Sequence, residues 1–274
     1  MKSVKNINLK NNFLKHIIIR LDFQKVPLTE ITKTLGELKN FFKNNGFNHF
    51  EIKKENQARI DLPRSGQESL EIHGSITKVK EIYSFSDDNN GINVDLCDNF
   101  IIINVNSNKY IPFLDYFKYL NFVISSYKKI FPFLVMTRLG IRKQNVCIVE
   151  GENNINKYFS KDTLNFYNKL QNINNLSSTK LETFEIEEYR VNLKNSIIKG
   201  MFNNRNMYKI ILDIDAYLNN DDLIRKVLSN DNVAEKMNNI IFDVFISNLT
   251  DEFVDMLSED EFIDNLIIGV ESNE

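Results

Sequence analysis

The sequence predicts an α+β protein made of two related antiparallel β-meander-plus-helix modules. Three observations carry that prediction. Residues 80–106 hold three short apolar runs, KEIYSFSD, GINVDLC and FIIINVN, divided by polar breaks that include Asn90–Gly91, a strong hairpin signal. A helical stripe follows, in which Phe113, Tyr116, Phe117, Leu120, Val123, Ile124 and Tyr127 recur with the α-helical period. The second half repeats this order of elements, strands first and helices after.

Each element has its own local reason. KHIIIRLDF (15–23) is a β-branched run that Pro27 punctuates. Thr29 is placed to cap a helix running to about Asn45, with Ile31, Leu35, Leu38 and Phe42 on one stripe and Gly46 as its stop. Strands are expected at 47–53, 57–62 and 69–77, with Pro63, Ser65 and Gly66 marking a turn. The aromatic helix spans about 111–130, with Pro112 in its first turn and Pro132 after its end; VMTRLGIRKQN (135–145) then begins a strand. Residues 151–179 are polar, and their NKLQNINNLSST portion reads as a linker or mobile loop. FEIEEYRVNLK, SIIKGMFN and MYKIILDIDAYL then read as three strands. Helices near 220–229 and 231–249 follow, the second burying Phe242, Phe245, Ile246 and Leu249. The organisation is an N-terminal module over 1–150, a linker over 151–179, a C-terminal module over 180–257 and an acidic amphipathic tail over 258–274.

Composition bounds the function classes. The net charge of −3 hides an asymmetry: residues 1–56 carry eleven Lys/Arg against five Asp/Glu, and residues 213–274 carry three against sixteen. An acidic end repels nucleic acid and attracts basic protein surfaces, so any nucleic-acid site belongs in the first two thirds. The two cysteines, Cys97 and Cys147, and the lack of a secretory n- and h-region before the first strand point to the cytoplasm. The longest uncharged apolar run, near Phe131 to Met136, is too short for a bilayer, so no membrane partner is expected.

Two constellations carry charge-bearing chemistry. On a strand, Arg138, Gly140 and Arg142 share one face, and two guanidiniums flank a bare glycine. Asp213 and Asp215 likewise share one face of a later strand. A strand-borne D-x-D suits Mg²⁺, since hard cations want several carboxylate oxygens on a rigid support, with Asp22 or Asp95 as the third acid. The competing reading joins the constellations, with Arg138 and Arg142 meeting Asp213 and Asp215 across a seam between two half-sheets. A third reading gives Arg138, Arg142 and Asn145 a phosphate or nucleotide, aided by Lys128, Lys129 and Lys143 beside Tyr127, Phe131 and Phe133. His16, His49 and His73 stand far apart without metal-ligand spacing, and neither cysteine has an activating context.

With these residues in view, the chain resembles a sporadically distributed family of uncharacterised bacterial and archaeal proteins of about this length. The resemblance lies in Pro27–Leu28 after the first strand, in Arg138-x-Gly140-x-Arg142-x-x-Asn145, in the Leu212–Asp215 strand, and in Phe245 followed by Thr250–Asp251. The patchy distribution of such proteins implies mobile genes, such as phage-defence or toxin–antitoxin cargo. Past that point the tail adds Phe262, Ile263, Leu266 and Ile267, an apolar stripe that either docks on a partner as a helix or folds back on its own core. The function expected is that of a non-catalytic interaction or regulatory protein without a cofactor, binding a protein partner through its acidic C-terminal lobe. The alternatives are a Mg²⁺-dependent nuclease or nucleotidyl transferase at Asp213 and Asp215, and RNA or nucleotide binding at Arg138 and Arg142.

Overall fold

Period-two alternation along the strands organises the molecule. The structure, a computed structural model, describes residues 9–61, 73–106, 113–164, 176–202, 205–259 and 266–267. Its elements are β1 (Leu14–Phe23), α1 (Leu28–Asn44), β2 (His49–Asp61), β3 (His73–Asp87), β4 (Ile92–Leu96), β5 (Phe100–Asn106), α2 (Phe113–Ile130) and β6 (Met136–Glu150). The chain continues through α3 (Glu152–Tyr158), α4 (Lys161–Leu164), β7 (Ser177–Ile186), β8 (Tyr189–Phe202) and β9 (Arg205–Leu218). It then forms α5 (Asp221–Ser229), α6 (Asp231–Ser247), α7 (Asp251–Ser258) and β10 (Leu266–Ile267).

The strands form one antiparallel sheet in the order β2-β3-β4-β5-β1-β6-β9-β8-β7, and β10 pairs with β6 beside β1. The fold is therefore α+β, and the two meanders β2–β5 and β7–β9 share a single sheet through β1 and β6. On β1, Ile17, Ile19 and Leu21 are fully buried while Ile18, Arg20 and Asp22 between them are not. The register carries that parity across the sheet: Ile19 faces Ile141, which faces Ala216, and all three are buried. These residues belong to one apolar cluster with α1, α2 and α6, so the helices cover this face and leave the other to polar side chains.

Aromatic packing fastens the helices. Phe42 of α1 stacks on Phe85 of β3 at 4.4 Å between centroids, and Phe41 stacks on Phe122 of α2 at 3.6 Å. The C-terminal helices start on side-chain caps, where Asn220 accepts from the Leu223 N–H and Thr250 from the Phe253 N–H.

Local expectations fail where no residue type announces the outcome. Thr29 does not cap α1; Pro27 stands at that position with no side-chain cap. The strands expected at 47–53 and 57–62 run together as β2, through a register shift between Gln57 and Ala58. Part of the run expected at 69–77 joins 80–87 in β3, and the turn at Pro63, Ser65 and Gly66 lies outside the described residues. The first expected strand of the second half is instead a hairpin, turning at Glu187 with φ +53°, a backbone region that Gly, Asn or Asp usually marks. The run SIIKGMFN continues β8 without a break. Within the stretch read as a linker, α3 and α4 form because Ile155, Tyr158 and Phe159 are buried, a stripe masked by polar neighbours.

Candidate functional site

The face left to polar side chains gathers the charged residues of three adjacent strands. In the β6–β9 register, Arg142 lies opposite Asp215, Gln144 opposite Asp213 and Gly140 opposite Tyr217. Each arginine nonetheless bonds along a diagonal. Arg142 donates from Nε to Asp213 Oδ1 at 2.7 Å and from Nη2 to Oδ2 at 2.5 Å, a bidentate pair. Arg138 donates from Nη2 to Asp215 Oδ2 at 2.8 Å. The D-x-D and R-x-G-x-R segments therefore meet in a two-rung ladder, joining β6 to β9, the last strand of the second meander.

Gly140 makes the second rung. A Cβ at this position would lie 2.7 Å from Arg138 Nη1 and 2.9 Å from its Cζ, so the guanidinium lies flat over the bare backbone. There its Cζ is 4.7 Å from the centre of the Tyr217 ring. Gly140 thus serves the approach of a side chain of its own strand.

Burial is unequal across the rungs. The Asp213 side chain is 7% exposed and that of Arg142 is 45% exposed, so an unpaired Asp213 would be a carboxylate kept from water. Pairing with Asp213 raises the Arg142 pKa further above its ordinary value. Asp215 moves the other way from a simple ion pair. Desolvation lifts its carboxyl above the ordinary range, outweighing Arg138, Arg142 and a hydrogen bond with Asn192.

The other residues singled out by the sequence separate by strand parity and distance. Asn145 falls an odd number of positions from Arg138 and Arg142, so it sits on the helix side, buried, donating to the Leu212 carbonyl at 3.2 Å. Asp22 lies opposite Arg138 on β1, but its carboxylate is held by Arg20 at 2.7 Å. Asp95 is on β4 and faces Lys53 at 3.7 Å. Neither joins Asp213 and Asp215, and among the described residues no group of three His, Cys, Asp or Glu is gathered to hold a metal.

The basic–aromatic group is likewise dispersed. Tyr127 is in the core, Lys129 pairs with Glu37 of α1, and Lys143 projects on the helix side at 5.9 Å from the Phe113 ring. Burial without an ionic partner among the described residues lowers the Lys143 pKa to about 8. His16 is exposed, and His49 pairs with Asp88 at 2.9 Å. The side chain of His73 lies outside the described residues. Both cysteines are buried, which pushes the Cys97 thiol up to about 11 and the Cys147 thiol up to about 12. Of the tail residues, Leu266 and Ile267 form β10, a strand where a helix is one of the two expectations, and Phe262 and Ile263 lie outside the described residues.

Sequence reasoning named Asp22 only as a candidate third acid and missed Arg20, which holds it: the two are two apart on β1 and so share the face of Arg138, and Arg20 also stands 5.0 Å from the Phe100 ring. Their i,i+2 spacing was a usable signal. Tyr217 and Asn192 had none, since they enter only through the register.

Comparison with protein-family models, with curated proteins and with solved structures returns no match to this chain.

Two outcomes follow from the ladder. Gly140→Val is expected to push Arg138 off its rung and cost about 0.5–1.5 kcal/mol in urea unfolding, the net worth of one hydrogen bond to a half-buried acceptor that keeps Asn192; a change under about 0.5 kcal/mol would count against the role of the glycine. The pH dependence has a definite sign. Because the folded pKa of Asp215 is raised, its contribution is fully present below the ordinary value of 3.8 and is lost as pH rises through the raised value. Stability measured against Asp215→Asn should therefore shift toward wild type as pH falls through that window, and the opposite slope would contradict the burial argument.

Proposed function

We propose that this chain is a non-catalytic cytoplasmic interaction protein and that its acidic C-terminal helices engage a basic surface of a partner protein. One observation carries the non-catalytic part: both oxygens of Asp213 accept hydrogen bonds from Arg142. A divalent cation needs those same oxygens, so metal chemistry at this D-x-D would first have to displace a bidentate guanidinium. The ladder instead does mechanical work, fixing the register of β6 against β9.

The interaction part rests on charge placement. Asp222 on α5, Asp231, Glu235 and Asp243 on α6, and Glu252 and Asp255 on α7 are exposed while the apolar faces of these helices are buried. Clustered surface charge of one sign steers association with a surface of the other sign and weakens as salt rises. No described helix is long and apolar enough to cross a membrane. The resemblance to a sporadically distributed family supports a place in a phage-defence or toxin–antitoxin-like locus. A second reading, an RNA or nucleotide held by Arg138 and Arg142, draws support from the 45% exposure that Arg142 keeps while paired.

The test uses the full-length chain carrying Glu235→Lys, Asp243→Lys and Asp255→Lys. It is expected to lose the stoichiometric partner that wild type captures from its host lysate, with an unchanged melting temperature. Retention of that partner by the charge-reversed chain contradicts the acidic interface. Capture of RNA instead, lost in Arg142→Ala without loss of folding, transfers the function to the second reading.

A further inference from the structure

The two ends of the sheet are built differently. β2 at one end carries Lys53, Lys54 and Arg59 and shifts register between Gln57 and Ala58, devices that keep an edge from pairing with another strand. β7 at the other end has neither a proline nor a register shift over its ten residues, and its one cation, Lys180, is neutralised by Glu182 at 2.9 Å. Among the described residues no strand lies beyond it. Leu181, Glu182 and Thr183 are exposed in succession, on both faces of the strand, and Leu181 is 67% exposed although apolar.

The backbone of β7 is aimed in a definite way. The Lys199 N–H bonds to the Leu176 carbonyl, and successive residues of a strand direct their backbone groups to alternate sides. Even-numbered residues of β7 thus bond to β8, while Ser177, Thr179, Leu181, Thr183 and Glu185 direct both backbone groups outward. An antiparallel twin of β7, related by a two-fold axis normal to the sheet, keeps each side chain on its own face and pairs residues of like parity. Charge then selects where the axis passes. Centred on Lys180 it sets Lys180 against itself, centred on Glu182 it sets Glu182 against itself, and centred on Thr179 or Thr183 it leaves both charges facing uncharged residues. Centred on Leu181 it places each Lys180 opposite Glu182 of the second copy and each Thr179 opposite Thr183, with the two Leu181 side chains covering one another. The Lys180–Glu182 pairs then fall at non-hydrogen-bonded positions, where facing side chains stand closest.

We propose that β7 is a dimerisation edge, through which two copies of this chain join their sheets antiparallel in the register centred on Leu181. Strand addition gives affinity through backbone hydrogen bonds and specificity through side-chain pairing, and here the pairing is self-complementary. The joined sheets keep their helices on one common side and their polar faces on the other. This surface uses no residue of α5–α7 and none of the Arg–Asp ladder, so it goes beyond the partner-protein reading and fails separately from it.

The experiment is sedimentation equilibrium of the full-length chain. Wild type is expected to form a dimer that dissociates on dilution. Lys180→Glu and Glu182→Lys are each expected to weaken that dimer at least about tenfold, since each sets like charges opposite one another. An equimolar mixture of these two variants, in which every facing pair is again of opposite sign, is expected to dimerise as wild type does. Leu181→Pro removes an outward N–H that β8 does not use, and is expected to be monomeric with an unchanged far-UV circular dichroism spectrum. Monomeric wild type at about 0.2 mM overturns the proposal. So does a mixture that stays monomeric, because the register is then wrong, and so does a dimer that survives Leu181→Pro, because it forms elsewhere.

Discussion

The pairing of β6 with β9 is the constraint on which this architecture depends. The first meander reaches β6 through β1 and the second ends at β9, and twelve consecutive residue pairs from Leu139–Leu218 to Glu150–Met207 join β6 to β9 in one sheet. A slip of β9 by one residue along this seam would send Ile214 to the polar face and Asp213 into the core. Apolar burial alone already penalises that slip. The diagonal bonds of Arg142 to Asp213 and of Arg138 to Asp215 add a second penalty, because a slipped register would separate a buried carboxylate from its guanidinium. The value of such a ladder lies in specifying one register, since desolvation offsets much of the Coulomb attraction, as the raised pKa of Asp215 records.

The same ladder shapes what the polar face can do. The sheet is covered by helices on one side, and its other side is kept compatible with water by charges that satisfy one another: Arg20 with Asp22, Arg138 with Asp215, Arg142 with Asp213. Aromatic rings on this face lie beneath cations rather than open to a stacking base, with Arg20 and Lys80 over Phe100 and Arg138 over Tyr217. Lys194 and Lys209 also project exposed from this face, and further acids project from α5–α7, helices whose apolar stripes are buried.

Much of this was legible in the sequence because period two and period 3.6 are local properties. The alternation in KHIIIRLDF, the Asn90–Gly91 hairpin, the aromatic stripe of α2 and the shared face of Arg138, Gly140 and Arg142 all follow from spacing. So did the chemical complementarity of the arginines and aspartates across a seam. What spacing cannot supply is register. The choice of Asp213 over the directly opposite Asp215 by Arg142, the recruitment of Tyr217 and Asn192, and the use of Gly140 as a seat for Arg138 depend on how two strands distant in sequence are staggered. Asn145 was grouped with the arginines although its odd offset already placed it on the helix side. The turn at Glu187 uses a residue with no preference for positive φ, so tertiary context decides it, as it decides strand over helix at Leu266–Ile267.

The central claim is that Arg142 and Asp213 exist for each other. A double-mutant cycle by urea unfolding, with Arg142→Ala, Asp213→Ala and the double variant, measures this directly. The account predicts a coupling energy of about 1–3 kcal/mol, with Asp213 the more costly partner to leave alone. Additive single-variant effects, with coupling within about 0.3 kcal/mol of zero, would contradict it and leave both side chains free for an external ligand.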